Sequence, residues 1–299
     1  MMKVGIFVGD DCTQGVQSLL KALERRDIPA SAFRLSHAWS DVHTDEIRHN
    51  FATITHAVLF VSEGCTSASW FPFVAGFCMG RDITVVLYNG DSATPAFLSG
   101  YERFTSTTAL SDFLEQELLI YQKAQRVEAA QAELRAAGFP ATEHSFADAV
   151  EQGHLDAVRN FLRVGISPDV RDNNGIPVLS LAIRQGHQDV VHLLIDHGAD
   201  VNAVSEDRGN SPLMEAATRG DVKAVRALIE AGADPDLKTK YDQTALMLAI
   251  GEGHTEVVRD LLDHGAHTDA VDYLGMTAEK YARLFRSDEI LSLLGAGEG

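Results

Sequence analysis

The chain has 299 residues, 45% hydrophobic and 23% charged, with a formal net charge of −18. That length suits about two domains of roughly 100–200 residues each. The negative field repels phosphate backbones and anionic lipid, which excludes nucleic acid and membrane surfaces as partners and favours a basic protein surface.

The three cysteines, Cys12, Cys65 and Cys78, fall in the first third without metal-ligand spacing, and an odd count fits a reducing compartment. Asp10 and Asp11 interrupt the first apolar run too early for a signal peptide, and no apolar run approaches the roughly 20 residues that cross a bilayer. A cytoplasmic location is expected. Over residues 1–120, short apolar runs at 4–8, 30–35, 57–61, 83–87 and 103–105 alternate with helical spacing at 17–25, 41–53, 69–79 and from 109 onward. The alternation implies a flavodoxin-like α/β domain, a parallel sheet with helices on both faces.

Ligands of such sheets sit outside the carboxyl ends of the strands. The loops there are small and polar: Gly9-Asp10-Asp11-Cys12-Thr13-Gln14, Ser36-His37-Ala38-Trp39-Ser40, Ser62-Glu63-Gly64-Cys65-Thr66-Ser67 and Tyr88-Asn89-Gly90-Asp91. Asp10, Asp11, Thr13, Gln14, His37, Trp39, Ser62, Ser67 and Asn89 are the ligand-binding candidates. The acids of the first loop, and the lack of a P-loop or Gly-x-Gly-x-x-Gly pattern, disfavour a phosphate there.

The stretch from His56 to Tyr88 carries a resemblance. It runs strand, then Ser62-Glu63-Gly64-Cys65-Thr66-Ser67-Ala68-Ser69-Trp70-Phe71, then a helix to Gly76-Phe77-Cys78-Met79-Gly80, then strand. This is similar to Toll/interleukin-1 receptor (TIR) domains, which carry Ser-x-Trp before a helix, and to nucleoside 2-deoxyribosyltransferase-like proteins, with Glu-x-Gly-Tyr on that helix. The resemblance implies cleavage or exchange of N-glycosidic bonds by a helix-borne glutamate, and a nucleotide or NAD-like ligand. That position falls on Val74 here, and a valine can neither hold ribose hydroxyls nor attack an anomeric carbon. Glu63 is the substitute catalytic candidate, although a glutamate there also suits the capping of a turn. Cys12 or Cys65 near His37 offers a thiolate pair, or simply small buried residues. Trp39, Trp70 and Phe71 offer stacking on a base, or core packing. No cofactor follows from the residues alone.

Residues 109–139 form one helical connector, with Phe113, Leu114, Leu118, Tyr121, Ala124, Val127, Ala130 and Leu134 on one stripe and Gly138 and Pro140 ending it. Its thin apolar face suits a spacer and leaves a homodimer open.

Residues 141–299 repeat. Gly153, Gly186, Gly220 and Gly253 are spaced 33, 34 and 33, as are Gly165, Gly198, Gly232 and Gly265; Ala149, Ala182, Ala216, Ala249 and Ala282 keep the register into a fifth unit. Between them lie apolar stripes such as Val190, Val191, Leu193 and Leu194. One such unit cannot bury its own apolar face, so neighbours must stack. The pattern resembles the ankyrin repeat: Asn210-Ser211-Pro212-Leu213-Met214-Glu215-Ala216-Ala217 and Asp242-Gln243-Thr244-Ala245-Leu246-Met247-Leu248-Ala249 match its Thr-Pro-Leu-His-x-Ala opening. Asp242 replaces the turn glycine of Gly175, Gly209 and Gly275. Three full units (172–204, 205–238, 239–271) lie between an N-terminal cap (141–171) and a C-terminal one (272–299). His154, His187, His197, His254 and His264 match the family's structural Gly-His and His-Gly pairs, so no metal is expected.

The family resemblance implies an all-α solenoid that binds a protein partner. The surface candidates are Arg171, Asn174, Arg208, Asn210, Lys240, Tyr241 and Tyr273 on the turn tips, and Arg184, Met214, Arg219 and Met247 on the inner helices. The sequence supports an adaptor or scaffold with an enzymatically inactive N-terminal domain. The alternative is an NAD or nucleoside N-glycosidase that uses the repeats for regulation or targeting.

Overall fold

The structure, a computed structural model, describes residues 2–9, 13–35, 53–60, 70–81, 83–88 and 100–295. The chain divides into two compact units, Met1–Arg126 and Val127–Gly299.

In the first unit, strands β1 (Val4–Gly9), β2 (Ala30–Leu35), β3 (His56–Phe60), β4 (Thr84–Tyr88) and β5 (Glu102–Phe104) form one parallel sheet in the order β2-β1-β3-β4-β5. Among the described residues three helices join it: α1 (Thr13–Glu24), α2 (Trp70–Met79) and α3 (Thr107–Ala136). Alternate strand residues feed two cores. Val4, Ile6, Val8, Val58 and Val86 meet Leu19 and Leu23 of α1 and Leu110 and Leu114 of α3, whereas Phe7, Ala57, Leu59, Val85 and Leu87 meet Val74, Ala75 and Cys78 of α2. With both faces covered, the strands read as unbroken apolar runs. Helix α1 begins four residues before the expected start at Gln17, because its first turn, Thr13-Gln14-Gly15, is polar or side-chain-free and carries no periodicity. Residues 41–52 of the helix expected at 41–53 lie outside the described residues. Helix α3 is tied to this unit by Arg26, which pairs with Asp112 and Glu115, and by the buried His56, whose Nε2 lies 3.2 Å from Glu117 Oε2.

The second unit is five helix pairs: α4 (Glu143–Glu151) with α5 (Leu155–Arg163), α6 (Val178–Gln185) with α7 (Gln188–Asp196), α8 (Pro212–Arg219) with α9 (Val222–Glu230), α10 (Ala245–Glu252) with α11 (Thr255–Asp263), and α12 (Ala278–Leu284) with α13 (Asp288–Leu293). One apolar core runs from Leu134 to Ile290 through all of them. Each fully buried leucine or valine in it contributes about 1.5–3 kcal/mol, and no single pair could shield its own stripe. The inner helices start on caps: Thr142, Ser211, Thr244 and Thr277 accept the N–H of Ser145, Met214, Met247 and Lys280. Helix α6 starts on Pro177 instead, and Val178 N–H goes to Val170 O at 2.9 Å.

The repeat glycines answer to two constraints. Gly153 and Gly220 take φ of +71° and +69°, and a Cβ there would lie 2.6 Å and 2.5 Å from the rings of His187 and His254 in the following pair. Those rings point Nε2 at Glu151 O (2.9 Å) and Thr218 O (3.1 Å). A carbonyl only accepts, so Nε2 carries the proton and these histidines are stitches between pairs.

Candidate protein-binding surface

Loops between the pairs turn out as hairpin tips on one side and short acidic loops on the other. The tips are linked along the stack by backbone bonds: Glu206 N–H to Gly175 O (3.2 Å), Lys240 N–H to Arg208 O (3.3 Å) and Tyr273 N–H to Tyr241 O (3.2 Å). The opposite loops carry a second row, in which Asp169, Asn202 and Asp236 accept the N–H of Asp200, Asp234 and His267 at 2.8, 2.8 and 2.9 Å. Part of the acidity of residues 126–299, with 16 Lys/Arg against 29 Asp/Glu, therefore holds one repeat to the next.

Most basic candidates are committed in the same way. Arg171 donates to Gly175 O (2.8 Å) and Val204 O (2.9 Å), Lys240 to Glu206 O and Asp207 O, and Arg219 to Arg184 O. Arg184 lies between Asp207 and the buried Glu215, which also accepts from Asn210 Nδ2 at 3.1 Å. Burial works against the Arg184 charge but is outweighed by the hydrogen bonds it donates to Asp207 and Glu215, which raise its pKa. The hydrogen bond from Arg184 holds the Asp207 carboxyl well below the usual carboxylate range. Asn174 is exposed, and its amide is turned onto Asp172.

Three sequence-based surface assignments are corrected. Asn210, Met214 and Met247 are buried, not exposed. Asn210 turns inward to bond Glu215, Met214 takes Ser211 N–H on its sulfur, and Met247 is buried in the first turn of α10, its N–H on the Thr244 cap.

What remains at the tips is apolar and free. Tyr241 is 56% exposed and Tyr273 62%, with ring centroids 5.6 Å apart, and Arg208 is exposed beside them in sequence register. Val204 and Val271, which sequence reasoning missed, continue the exposed apolar edge. Between Arg171, Val204, Glu206, Lys238 and Lys240 lies a shallow, open depression. The repeat alignment held a signal for these valines: apolar residues occupy tip positions where solvent alone would favour polar ones.

In the first unit, Asp10, Asp11, His37, Trp39, Ser62, Glu63, Ser67 and Asn89 lie outside the described residues, while Thr13 and Gln14 open α1. Val74, which the sequence resemblance aligns with the families' glutamate, is fully buried against the sheet. Burial pushes the Cys78 thiol up to about 12. Among the described residues, no group of three or more His, Cys, Asp or Glu is placed to hold a metal ion, and no helix is long and apolar enough to cross a membrane.

Comparison with known proteins matches residues 146–239 and 231–298 to the family model "Ankyrin repeats (3 copies)". The chain is 33% identical over 305 residues to a "Putative ankyrin repeat-containing protein" of Treponema pallidum, covering 98% of this chain and 100% of that one. It is also similar to the mouse "B-cell lymphoma 3 protein homolog" (32% over 123 residues, 41% of this chain and 28% of that protein) and to the human "BCL-6 corepressor-like protein 1" (36% over 118 residues, 39% and 6%).

Proposed function

Because this chain belongs to the ankyrin-repeat proteins, we propose that it is an adaptor that holds a protein partner along the hairpin edge of its second unit. The observation that carries this reading is the exposed edge of Val204, Tyr241, Val271 and Tyr273 on a scaffold whose other tip groups are tied to one another. Tyrosines at an interface supply large, rigid contact area with a polar end, and they dominate binding energy out of proportion to their number. The partner is basic. Glu206 and Asp242 are exposed at the tips, whereas Arg171 and Lys240 already spend their charge on carbonyls of the stack.

The first unit is the adaptor's second module, a domain of the TIR or nucleoside 2-deoxyribosyltransferase-like kind that binds a nucleotide-like ligand without turning it over. Two observations support this. The strand order reverses direction between β1 and β3, where parallel sheets present their ligands, and Val74 of α2, which the sequence resemblance aligns with those families' glutamate, is buried.

Capture experiments with the full chain and a Tyr241→Ser/Tyr273→Ser variant test the adaptor. Loss of the captured protein with an unchanged helical circular-dichroism signal supports it, and equal capture by both chains rejects it. Incubation with NAD and nucleosides, followed by chromatography, tests the second module. Release of free base that disappears in Glu63→Gln would make it an N-glycosidase instead.

A further inference from the structure

We propose that the outer edge of β2 is a docking site for an extended segment of another protein, whose side chains alternate between basic and apolar. The segment adds a further strand to the five of the sheet. This goes beyond the adaptor reading and lies in the other unit. The strand order places β2 at one end of the sheet and β5 at the other. An edge presents a row of unpaired N–H and C=O groups, which proteins guard with short strands and charge. β5 carries both guards, being three residues long and opening on Glu102-Arg103. β2 spans six residues, and the run from Ile28 to Phe33 holds no charge.

The phase of the ladder identifies the open groups. Pro29 precedes the strand, and its carbonyl turns inward to accept Val4 N–H at 2.9 Å. Val4 stands opposite Ala30. Alternate residues of a parallel strand turn their N–H and C=O to the same side, so Ser31 and Phe33 bond β1 while Ala30 and Ala32 turn theirs outward. Among the described residues nothing pairs with the outward groups of Ala30 and Ala32. The side chains beside them are small, and Ser31 and Ala32 are exposed.

Each face of this edge carries an open depression. On the α1 face, Leu20, Glu24 and Asp27 stand beside Ala30. On the α2 face, Phe33 and Ile54 stand beside Lys3. An added strand sends successive side chains to opposite faces, so the two hollows receive neighbours in its sequence. Charge assigns them. The Glu24 and Asp27 carboxylates have no partner among the described residues, and a lysine or arginine side chain answers both. The Lys3 ammonium is likewise unpaired and repels a second cation, so that side takes an apolar side chain against Phe33 and Ile54. The net charge of −18 draws such a segment towards the chain.

The probe is a short synthetic peptide alternating arginine and valine, titrated with the full chain and read by fluorescence anisotropy. Ala32→Pro removes an outward N–H that no bond within the sheet uses, where an edge strand tolerates proline, and should weaken binding about tenfold or more. Glu24→Gln/Asp27→Asn should weaken it about two- to fivefold. The same peptide with its backbone N-methylated has no N–H to donate and should not bind. Should Ala32→Pro misfold, residue-resolved amide exchange of the unsubstituted chain decides, with Ala30 and Ala32 fast in the free chain and slowed by the peptide. No binding, equal binding by Ala32→Pro or of the N-methylated peptide, or equal binding of a peptide alternating glutamate and valine would each overturn the proposal. So would Ala30 and Ala32 amides already protected in the free chain, because the chain itself or a second copy would then cover the edge. The hairpin tips take no part in these experiments, so their failure would leave the adaptor reading standing.

Discussion

Arg184→Met should destabilise the repeat unit, and a second substitution should recover the loss. Arg184 bridges Asp207 on one tip and Glu215 on the next inner helix, with side-chain exposures of 22%, 33% and 6% respectively. Breaking a buried pair by removing one partner costs about 3–5 kcal/mol. Only the Glu215 half of this network is fully buried and Asn210 still serves that carboxylate, so we expect about 2–3 kcal/mol. The neighbouring repeats place Leu181 and Leu248 at the position of Glu215, so adding Glu215→Leu replaces the ionic contact by the packing its neighbours use. The double variant should regain most of the loss. Equilibrium urea unfolding, followed by circular dichroism at neutral pH, should show a midpoint lowered by about 1 M or more in the single variant. The same contact sets an acid dependence. Arg184 lowers the Asp207 pKa in the folded state, so the stability it contributes is complete above the unfolded value of 3.8 and is lost as pH falls through the lower folded value. Arg184→Met should therefore flatten part of the stability loss between about pH 5 and about pH 2. A single-variant cost below about 0.5 kcal/mol, or no recovery in the double variant, would refute the assignment.

Gly220→Ala should cost about 1–3 kcal/mol, because φ of +69° and the His254 ring both oppose a Cβ, and thermal melts would show it. Asp242 takes φ of +58° where Gly175, Gly209 and Gly275 stand in other units, so Asp242→Gly should raise stability by about 0.5 kcal/mol in the same melts. Leu246→Ala empties a fully buried site and should cost about 2–5 kcal/mol by urea unfolding. Native-state thiol labelling at neutral pH, mapped by mass spectrometry, should leave Cys78 unmodified because burial holds its pKa at about 12.

The solenoid was legible because its causes are periodic. The glycine and alanine series mark helix ends and close approaches that recur at fixed spacing, and Asp242 was readable as a glycine substitute from register alone. Side-chain direction was not legible. Asn210 reads as a polar turn residue and Met214 as an inner-helix surface residue, yet both turn inward because the buried Glu215 needs a donor and Ser211 N–H meets a sulfur. Likewise, Arg171 and Lys240 read as free cations, but the acceptors that hold them are backbone carbonyls some 33 residues away, which no local pattern displays. In the first unit the strands were visible as apolar runs, whereas the start of α1 was hidden by a polar first turn.

Amide hydrogen exchange of the full chain, with and without its captured partner, tests the central claim most directly. Slowed exchange at the tips 204–211, 237–244 and 270–277, with little change in the outer helices, is the predicted result. Protection confined to the Met1–Arg126 unit, with the tips exchanging as in the free protein, would contradict it.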